Sequence, residues 1–270
     1  MIADNKIMVS VAPVDASSGR AVPEEIAEDV LKCAGLGAAM VHLHVRELDG
    51  TLTKDTRLLE RTIDLIRKES DIIIEASTGG VSSLSIEERC APLHSAKVEA
   101  CSLNVGSVNL GKAVYLNPID DVRYCVSEIK RTGKKPEVEV FEIGMIHTMK
   151  ELQKEFALPS PLLFAIVLGH EGAAPATTEA LLAMRSLIPQ DAIWGITHAH
   201  REDNRIIHAA LSLGARTVRV GFEDSYYIKK GKTAKKNHEI IANLVREMDS
   251  LGYEPMTASE ARSFLGMREL

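Results

Sequence analysis

No apolar run in this 270-residue chain approaches the roughly 20 residues needed to cross a bilayer, so no membrane span is expected. The N-terminus carries Asp4 and Lys6 ahead of a short extended stretch, which is not the layout of a secretory signal. An excess of basic residues is missing too. The formal net charge of −6 argues against a nucleic-acid partner, which would need a positive field. Cys33, Cys90, Cys101 and Cys125 form no CxxC pair, so they are expected to be reduced, buried thiols of a cytoplasmic protein. No linker or low-complexity stretch marks a boundary, and residues 1–270 are expected to form one domain with a short C-terminal extension. At 45% hydrophobic residues, such a domain can bury a substantial core.

What is present is an alternation of two periods. Stretches that read as strands occur at 7–13, 39–46, 71–78, 98–108, 137–146, 162–168, 192–198 and 217–222. Helical patterns lie between them. The first opens at Pro23-Glu24-Glu25, with proline and acids in the first turn, and buries Ala27, Val30, Leu31 and Ala34. Others cover 58–66, 86–93, 119–131, a segment running to 156, 177–187 and 204–213, and a last one shows Ile240, Ile241, Leu244, Val245 and Met248 on one face. Eight strand–helix units predict an α/β fold, the (β/α)8 TIM barrel. A doubly wound sheet is the runner-up, but no GxGxxG follows the first strand. The tail after Gly252, with a short helix at Ser259-Glu260-Ala261-Arg262, is expected to pack on the barrel or on a partner subunit.

Barrel active sites lie at the C-terminal ends of the strands, and the polar residues gather there. In His42-Leu43-His44-Val45-Arg46 the alternation sends both imidazoles and Arg46 to one face. In 217–222 it turns Val218, Val220 and Phe222 toward the helices, and Arg219, Gly221 and Glu223 inward. Strands two and eight are two apart in a closed barrel, so His42, His44 and Glu223 can meet as a two-histidine, one-carboxylate metal site. That donor set suits catalytic zinc and equally non-haem iron(II). A single HxH is weak, because paired histidines on a strand are often only hydrogen-bonded. A second one, His198-Ala199-His200, is expected to line the pocket. His94, His147, His170, His208 and His238 are read as structural or exposed. Asp224, oriented by Arg219, can take a proton from a carbon beside a polarised ketone; the competing reading is a structural salt bridge. The basic loop of Lys229, Lys230, Lys232, Lys235 and Lys236 could hold phosphates of a cofactor such as coenzyme A, or simply be solvated.

These residues resemble one known family, the beta-keto acid cleavage enzymes, which include 3-keto-5-aminohexanoate cleavage enzyme. The resembling motifs are His42-Leu43-His44-Val45-Arg46, Ser77-Thr78-Gly79-Gly80, Leu103-Asn104-Val105-Gly106-Ser107-Val108-Asn109, Pro136-Glu137-Val138-Glu139-Val140-Phe141, Arg219-Val220-Gly221-Phe222-Glu223-Asp224 and Ser259-Glu260-Ala261-Arg262, in order over nearly the whole chain. The resemblance implies a zinc-dependent barrel and a homo-oligomer, with a tetramer among the options. The reaction it implies condenses a beta-keto acid with acetyl-CoA and yields acetoacetate and a new acyl-CoA. It puts zinc on His42, His44 and Glu223 and makes Asp224 with Arg219 the base. The keto acid's carboxylate would rest on Ser77 and Gly80, with Ser102 or Asn104 beside them. Three departures concern the substrate end. Val14-Asp15-Ala16-Ser17-Ser18 lacks a glutamate found in the family, with Asp15 its candidate substitute. Ser225 replaces a usual asparagine, and His198 and His200 are unlike the family.

Three functions follow in order: this zinc-dependent acyltransferase; a metal-dependent lyase or hydrolase acting on a keto acid without coenzyme A; and a non-catalytic barrel whose histidines bind a regulatory ligand or merely pack.

Overall fold

The computed structural model describes residues 2–16, 20–158 and 160–269. Eight parallel strands, β1 (Lys6–Val11), β2 (Ala38–Leu43), β3 (Ile73–Ala76), β4 (Ala100–Asn104), β5 (Lys135–Val140), β6 (Leu163–Leu168), β7 (Ile193–His198) and β8 (Thr217–Val220), pair in sequence order. The last returns to the first, with Met8 opposite Thr217 and Val11 opposite Val220, and the barrel is closed. Helices α1 (Pro23–Gly35), α2 (Arg57–Arg67), α3 (Ile86–Arg89), α4 (Ile119–Thr132), α5 (Ile143–Phe156), α6 (Thr178–Leu187), α7 (Arg205–Ser212) and α8 (Asn237–Ser250) lie between and after the strands. This is the (β/α)8 barrel that the alternation predicts.

Strand parity divides the side chains. Val9, Val11, Val41, Leu43, Ile74, Val218 and Val220 join the helices in the main apolar cluster. The opposite parity fills the barrel, and that filling changes along its axis. At the N-terminal end Met8, Met40, Ile73, Ala100, Leu163 and Ile193 form an apolar layer. A final helix, α9 (Ala258–Leu265), closes it with Ala261 and Leu265. A Thr257–Glu260 capping box starts α9, and buried Arg262 ties it to Glu99 at 2.7 Å. The tail thus packs on the barrel. One layer up the interior turns polar: Ser10, His42, Glu75, Ser102, Glu137, Thr197 and Arg219 are all buried. The cost of burying that much polarity is only partly offset: Ser10 Oγ, Glu75 Oε1, Glu137 Oε2 and Thr197 Oγ1 have no hydrogen-bond partner among the described residues.

Several element ends differ from the periodic pattern. β4 stops at Asn104, and residues 108–115 form a separate hairpin of Val108–Leu110 against Ala113–Tyr115. β5 stops at Val140, because from Ile143 the apolar residues Met145, Ile146, Met149 and Leu152 recur at helical spacing and are buried as the inner face of α5. The lysine-rich loop holds a small hairpin, Tyr227–Lys229 with Lys232–Thr233, whose lysines are exposed.

Candidate active site

His42 is the last inward residue of β2, and its register partner on β3 is Glu75. Paired residues of neighbouring strands share a face, so His42 Nδ1 lies 2.7 Å from Glu75 Oε2 with both groups buried. His44 follows just past the strand end, its ring centroid 5.2 Å from that of His42. His44 Nε2 is 3.3 Å from Glu223 Oε1, and His42 Nε2 is 3.8 Å from the same oxygen. Ligands at about 2.0–2.1 Å from a tetrahedral ion are about 3.3 Å apart, so these three donors fit one metal ion. Burial lowers the His44 pKa, while Glu223, though burial opposes its charge, is held well below the usual carboxylate range by His44, His42 and Arg219. Two imidazoles and an ionisable carboxylate form a donor set that a cation takes. A second grouping, His42 with Glu75 and Glu137, fits less well, since burial and the charge of Glu139 push Glu75 up to about 8, where it holds a proton.

The route by which Glu223 arrives is not the strand alternation. β8 ends at Val220 and the chain turns: the N–H groups of Asp224 and Ser225 donate to Gly221 O at 3.1 and 2.8 Å. Gly221 has φ 146° and passes so close to β1 that a Cβ would sit 2.2 Å from Ala12 O. Only glycine tolerates that approach. The turn aims Glu223 and also Asp224 into the mouth, whereas a continued strand would point one of them out.

Arg219 binds Asp224 through Nε at 3.2 Å and Nη2 at 2.9 Å, and donates from Nη1 to Glu139 Oε1 at 2.7 Å. Asn104 Nδ2 donates to the other oxygen of Glu139 at 2.7 Å. A buried guanidinium between two carboxylates is the arrangement that offsets its desolvation. Burial outweighs Arg219 at Asp224, whose carboxyl is raised above its ordinary value, the direction that suits a general base.

Ser77 and Ser102 face each other with their Oγ atoms 3.3 Å apart, and the N–H groups of Gly79 and Thr78 donate to them. Gly80 has φ 127°, and a Cβ there would press on Leu52 at 2.5 Å beside His44. Ser77 and Gly80 follow the end of β3 beside His44, and Ser102 lies within β4. Asn104, two residues nearer the mouth on β4, is committed to Glu139. His44 Nδ1 and Arg46 Nε, buried without a protein partner, belong to residues that line one cavity of ≈ 20 Å³, room for a single water.

Of the second HxH, His198 is half-buried on β7, and His200 lies beyond the strand end with its main-chain N–H on Asp224 O at 2.7 Å. Its ring is 5.5 Å from that of His170. His170, expected among structural or exposed histidines, is instead half-buried at the mouth and feels the charges of Arg219, Glu139 and Glu223. The others are as expected: His238 pairs with Asp29, His208 with Glu247, and His94 and His147 are exposed or nearly so. Asp15 accepts from the Tyr226 hydroxyl; Ser17 and Ser18 lie outside the described residues. All four cysteines are buried and free. The residues that motif reading gave no role are Glu75 and Glu139. Their signal was present, since each alternates with outward apolar neighbours (Ile74 and Ala76; Val138 and Val140).

The family profile of beta-keto acid cleavage enzymes matches residues 20–267. The chain belongs to this family. Two 3-keto-5-aminohexanoate cleavage enzymes are similar. That of Fusobacterium nucleatum is 36% identical, aligned over 96% of this chain and 95% of its own. That of Acetoanaerobium sticklandii is 35% identical over 90% and 89%. A 3-oxoadipate:acetyl-CoA acetyltransferase of Cupriavidus necator is 31% identical over 92% and 88%. Among solved structures, a ternary complex of ObcA with a C4-CoA adduct and oxalate superposes with a TM-score of 0.78 at 20% identity, over 93% of this chain and 68% of that one. That likeness speaks to the fold. As a member of the family the chain is an enzyme, an acyltransferase of the beta-keto acid cleavage type. No helix among the described residues is long and apolar enough to cross a membrane.

Proposed function

We propose that this beta-keto acid cleavage enzyme uses zinc, held by His42, His44 and Glu223, and transfers coenzyme A from acetyl-CoA to the acyl part of a beta-keto acid. The observation that carries the reading is the bidentate Arg219–Asp224 pair set immediately beside the His42–His44–Glu223 cluster. The name of the Cupriavidus relative supports acetyl-CoA as co-substrate. When bound, the ion would supply an electrophile that polarises the keto oxygen and acidifies the neighbouring carbon.

Ser77, Gly80 and Ser102, with Asn104 beside them, would receive the keto acid's carboxylate. Asp224 takes a proton from the carbon between the carboxylate and the ketone, and Arg219, itself fixed by Glu139, keeps the carboxylate aimed. The carbanion attacks the acetyl-CoA carbonyl, a carbon–carbon bond forms and the thiolate leaves. The thiolate then attacks the original ketone. Cleavage of the adjoining carbon–carbon bond gives the new acyl-CoA and acetoacetate, whose carbon takes the proton back from Asp224.

Zinc-loaded protein given acetyl-CoA and a panel of beta-keto acids should release acetoacetate, and Glu223→Ala should not. Cleavage at the same rate without acetyl-CoA would replace the transferase with a lyase or hydrolase. We also carry a cytoplasmic homo-oligomer as part of this reading. Light scattering on the purified enzyme tests the oligomeric state.

A further inference from the structure

Arg89, the last residue of α3, is half-buried and spends its donors on neutral oxygens. Nε donates to Thr78 O at 2.9 Å and Nη1 to Leu116 O at 3.1 Å. Nη2 donates to Asn117 Oδ1 at 2.6 Å and to the Tyr115 hydroxyl at 3.3 Å. The guanidinium also lies over the Tyr115 ring, 5.3 Å from its centroid. The acids of its own helix are engaged elsewhere, Glu88 with Lys54 at 2.7 Å and Glu87 with Ser85. A planar fork fixes the geometry of whatever it holds, and this one keeps its charge uncancelled.

What it holds is the turn after β3. Tyr115 is buried at the end of the 108–115 hairpin, and a Cβ on Gly79 would sit 1.9 Å from its hydroxyl. Gly79 is therefore glycine for the sake of this contact. Asn117 carries the clamp to the turn after β4, its N–H donating to Ser107 Oγ at 2.8 Å and its Nδ2 to Gly106 O at 3.3 Å. One guanidinium thus joins the turns that follow the two strands leading to Ser77 and Ser102.

The clamp reaches the serines through a single peptide group. Arg89 polarises the Thr78 carbonyl, and the N–H of the same peptide, that of Gly79, donates to Ser77 Oγ at 3.2 Å. Hydrogen bonds linked in this way strengthen one another. The Thr78 N–H donates to Ser102 Oγ, also at 3.2 Å. Each hydroxyl accepts from the main chain and has one O–H to give. Across their 3.3 Å contact only one of the two can be spent. The other is left for an acceptor from outside, and a cation behind the same turn favours an anionic one.

We infer that Arg89 is a positioning residue for the beta-keto acid, fixing through Thr78 and Tyr115 the turn whose Ser77 hydroxyl meets the substrate's carboxylate. The inference rests on the carboxylate site proposed above.

Acetoacetate is the probe, because the proposed reaction yields it from any keto acid and it has the carboxylate and ketone without a far end. Methyl acetoacetate has the same ketone and no charge. In calorimetric titrations of zinc-loaded protein, acetoacetate should bind at least about tenfold more tightly than the ester, since a site built to hydrogen-bond one group rejects an analogue lacking it. Arg89→Lys keeps the charge and loses the fork. It should weaken acetoacetate about tenfold, and Tyr115→Phe about threefold, the sizes expected for a charged and a neutral hydrogen bond. Affinity for the ester and zinc content should stay as in wild type, and in turnover the KM for the keto acid should rise while that for acetyl-CoA does not. Equal weakening of acid and ester, or lost zinc, would make Arg89 a structural residue only and overturn the inference. So would wild-type affinity for acetoacetate in Arg89→Lys. Ser77→Ala separates this from the underlying reading. If Ser77→Ala loses acetoacetate and Arg89→Lys does not, the carboxylate site stands and the role of Arg89 falls. If Ser77→Ala binds acetoacetate as wild type does, or wild type binds acid and ester alike, the site itself is wrong and the inference falls with it.

Discussion

The chain writes the same tripeptide pattern twice, His42-Leu43-His44 and His198-Ala199-His200, and folds it to two different ends. In the first, the extended backbone carries the alternation past the end of β2. Both imidazoles then reach Glu223, within 3.8 Å, while Glu75 braces His42 from behind. In the second, the alternation breaks at once. His200 adopts a positive φ and turns toward His170. His198 Nδ1 stays buried without a protein partner, and its ring senses Arg201, Asp203 and His200. Two histidines at strand spacing can offer donors to one metal ion only where the backbone stays extended and a carboxylate waits on a neighbouring element.

The sharpest way to break this comparison is to remove one histidine from each motif. His44→Ala should take turnover to the assay background and leave purified protein with far less than stoichiometric zinc by elemental analysis, because three protein ligands are the minimum for a catalytic ion. His198→Ala should keep its zinc. Zinc lost from both variants, or from neither, would dissolve the distinction drawn here.

Next in size is Asp224→Asn, which leaves an amide against Arg219 and the proposed metal ligands intact. A fall in kcat of roughly 10²–10⁴-fold with full zinc content is expected for loss of a general base. Unchanged kcat with a lowered melting temperature would mean that the Arg219–Asp224 pair is a structural salt bridge. Behind the metal, Glu75→Gln should weaken zinc about 10–100-fold in a chelator competition, since the group that orients a ligating imidazole contributes that much. Zinc affinity equal to wild type would show that His42 needs no brace.

The same comparison shows how much of this molecule was legible in its residues. The barrel was, because eight strand-like stretches separated by helical faces admit few other closed arrangements, and β8 alternates Val218 and Val220 with Arg219. The meeting of His42 and His44 was legible for the same reason. Glu223 was placed inward by extending β8 to residue 222, whereas β8 stops at Val220 and a turn on Gly221 brings in both acids. Nothing local distinguishes a strand continuing through Gly221-Phe222 from one turning there; the cause is the distant close approach of Ala12. Glu75 and Glu139 went without a role because their worth depends on partners 33 and 80 residues away, His42 and Arg219. His170 was read as structural or exposed; that it is half-buried at the mouth follows from what the neighbouring strand ends place beside it, which its own sequence context does not show.

The smallest expected effect also separates the two motifs, through pH. Burial, aided by Arg201, lowers His198 from 6.5 to about 4. Between those values the unfolded chain binds a proton that the folded chain refuses. Stability therefore rises with pH across this window, is complete above about 6.5, and is lost progressively as the solution is acidified toward pH 4. His198→Gln removes that proton linkage and should flatten the fall in melting temperature between pH 6.5 and 4.5 by roughly 2–4 °C, the shift that about 1 kcal/mol produces in a chain of this size. The residual slope then belongs to His170 and to the carboxylates. An acid limb as steep in the variant as in the wild type would place the proton uptake elsewhere. It would also mean that the buried Nδ1 of His198 is satisfied well enough to titrate as it does in water.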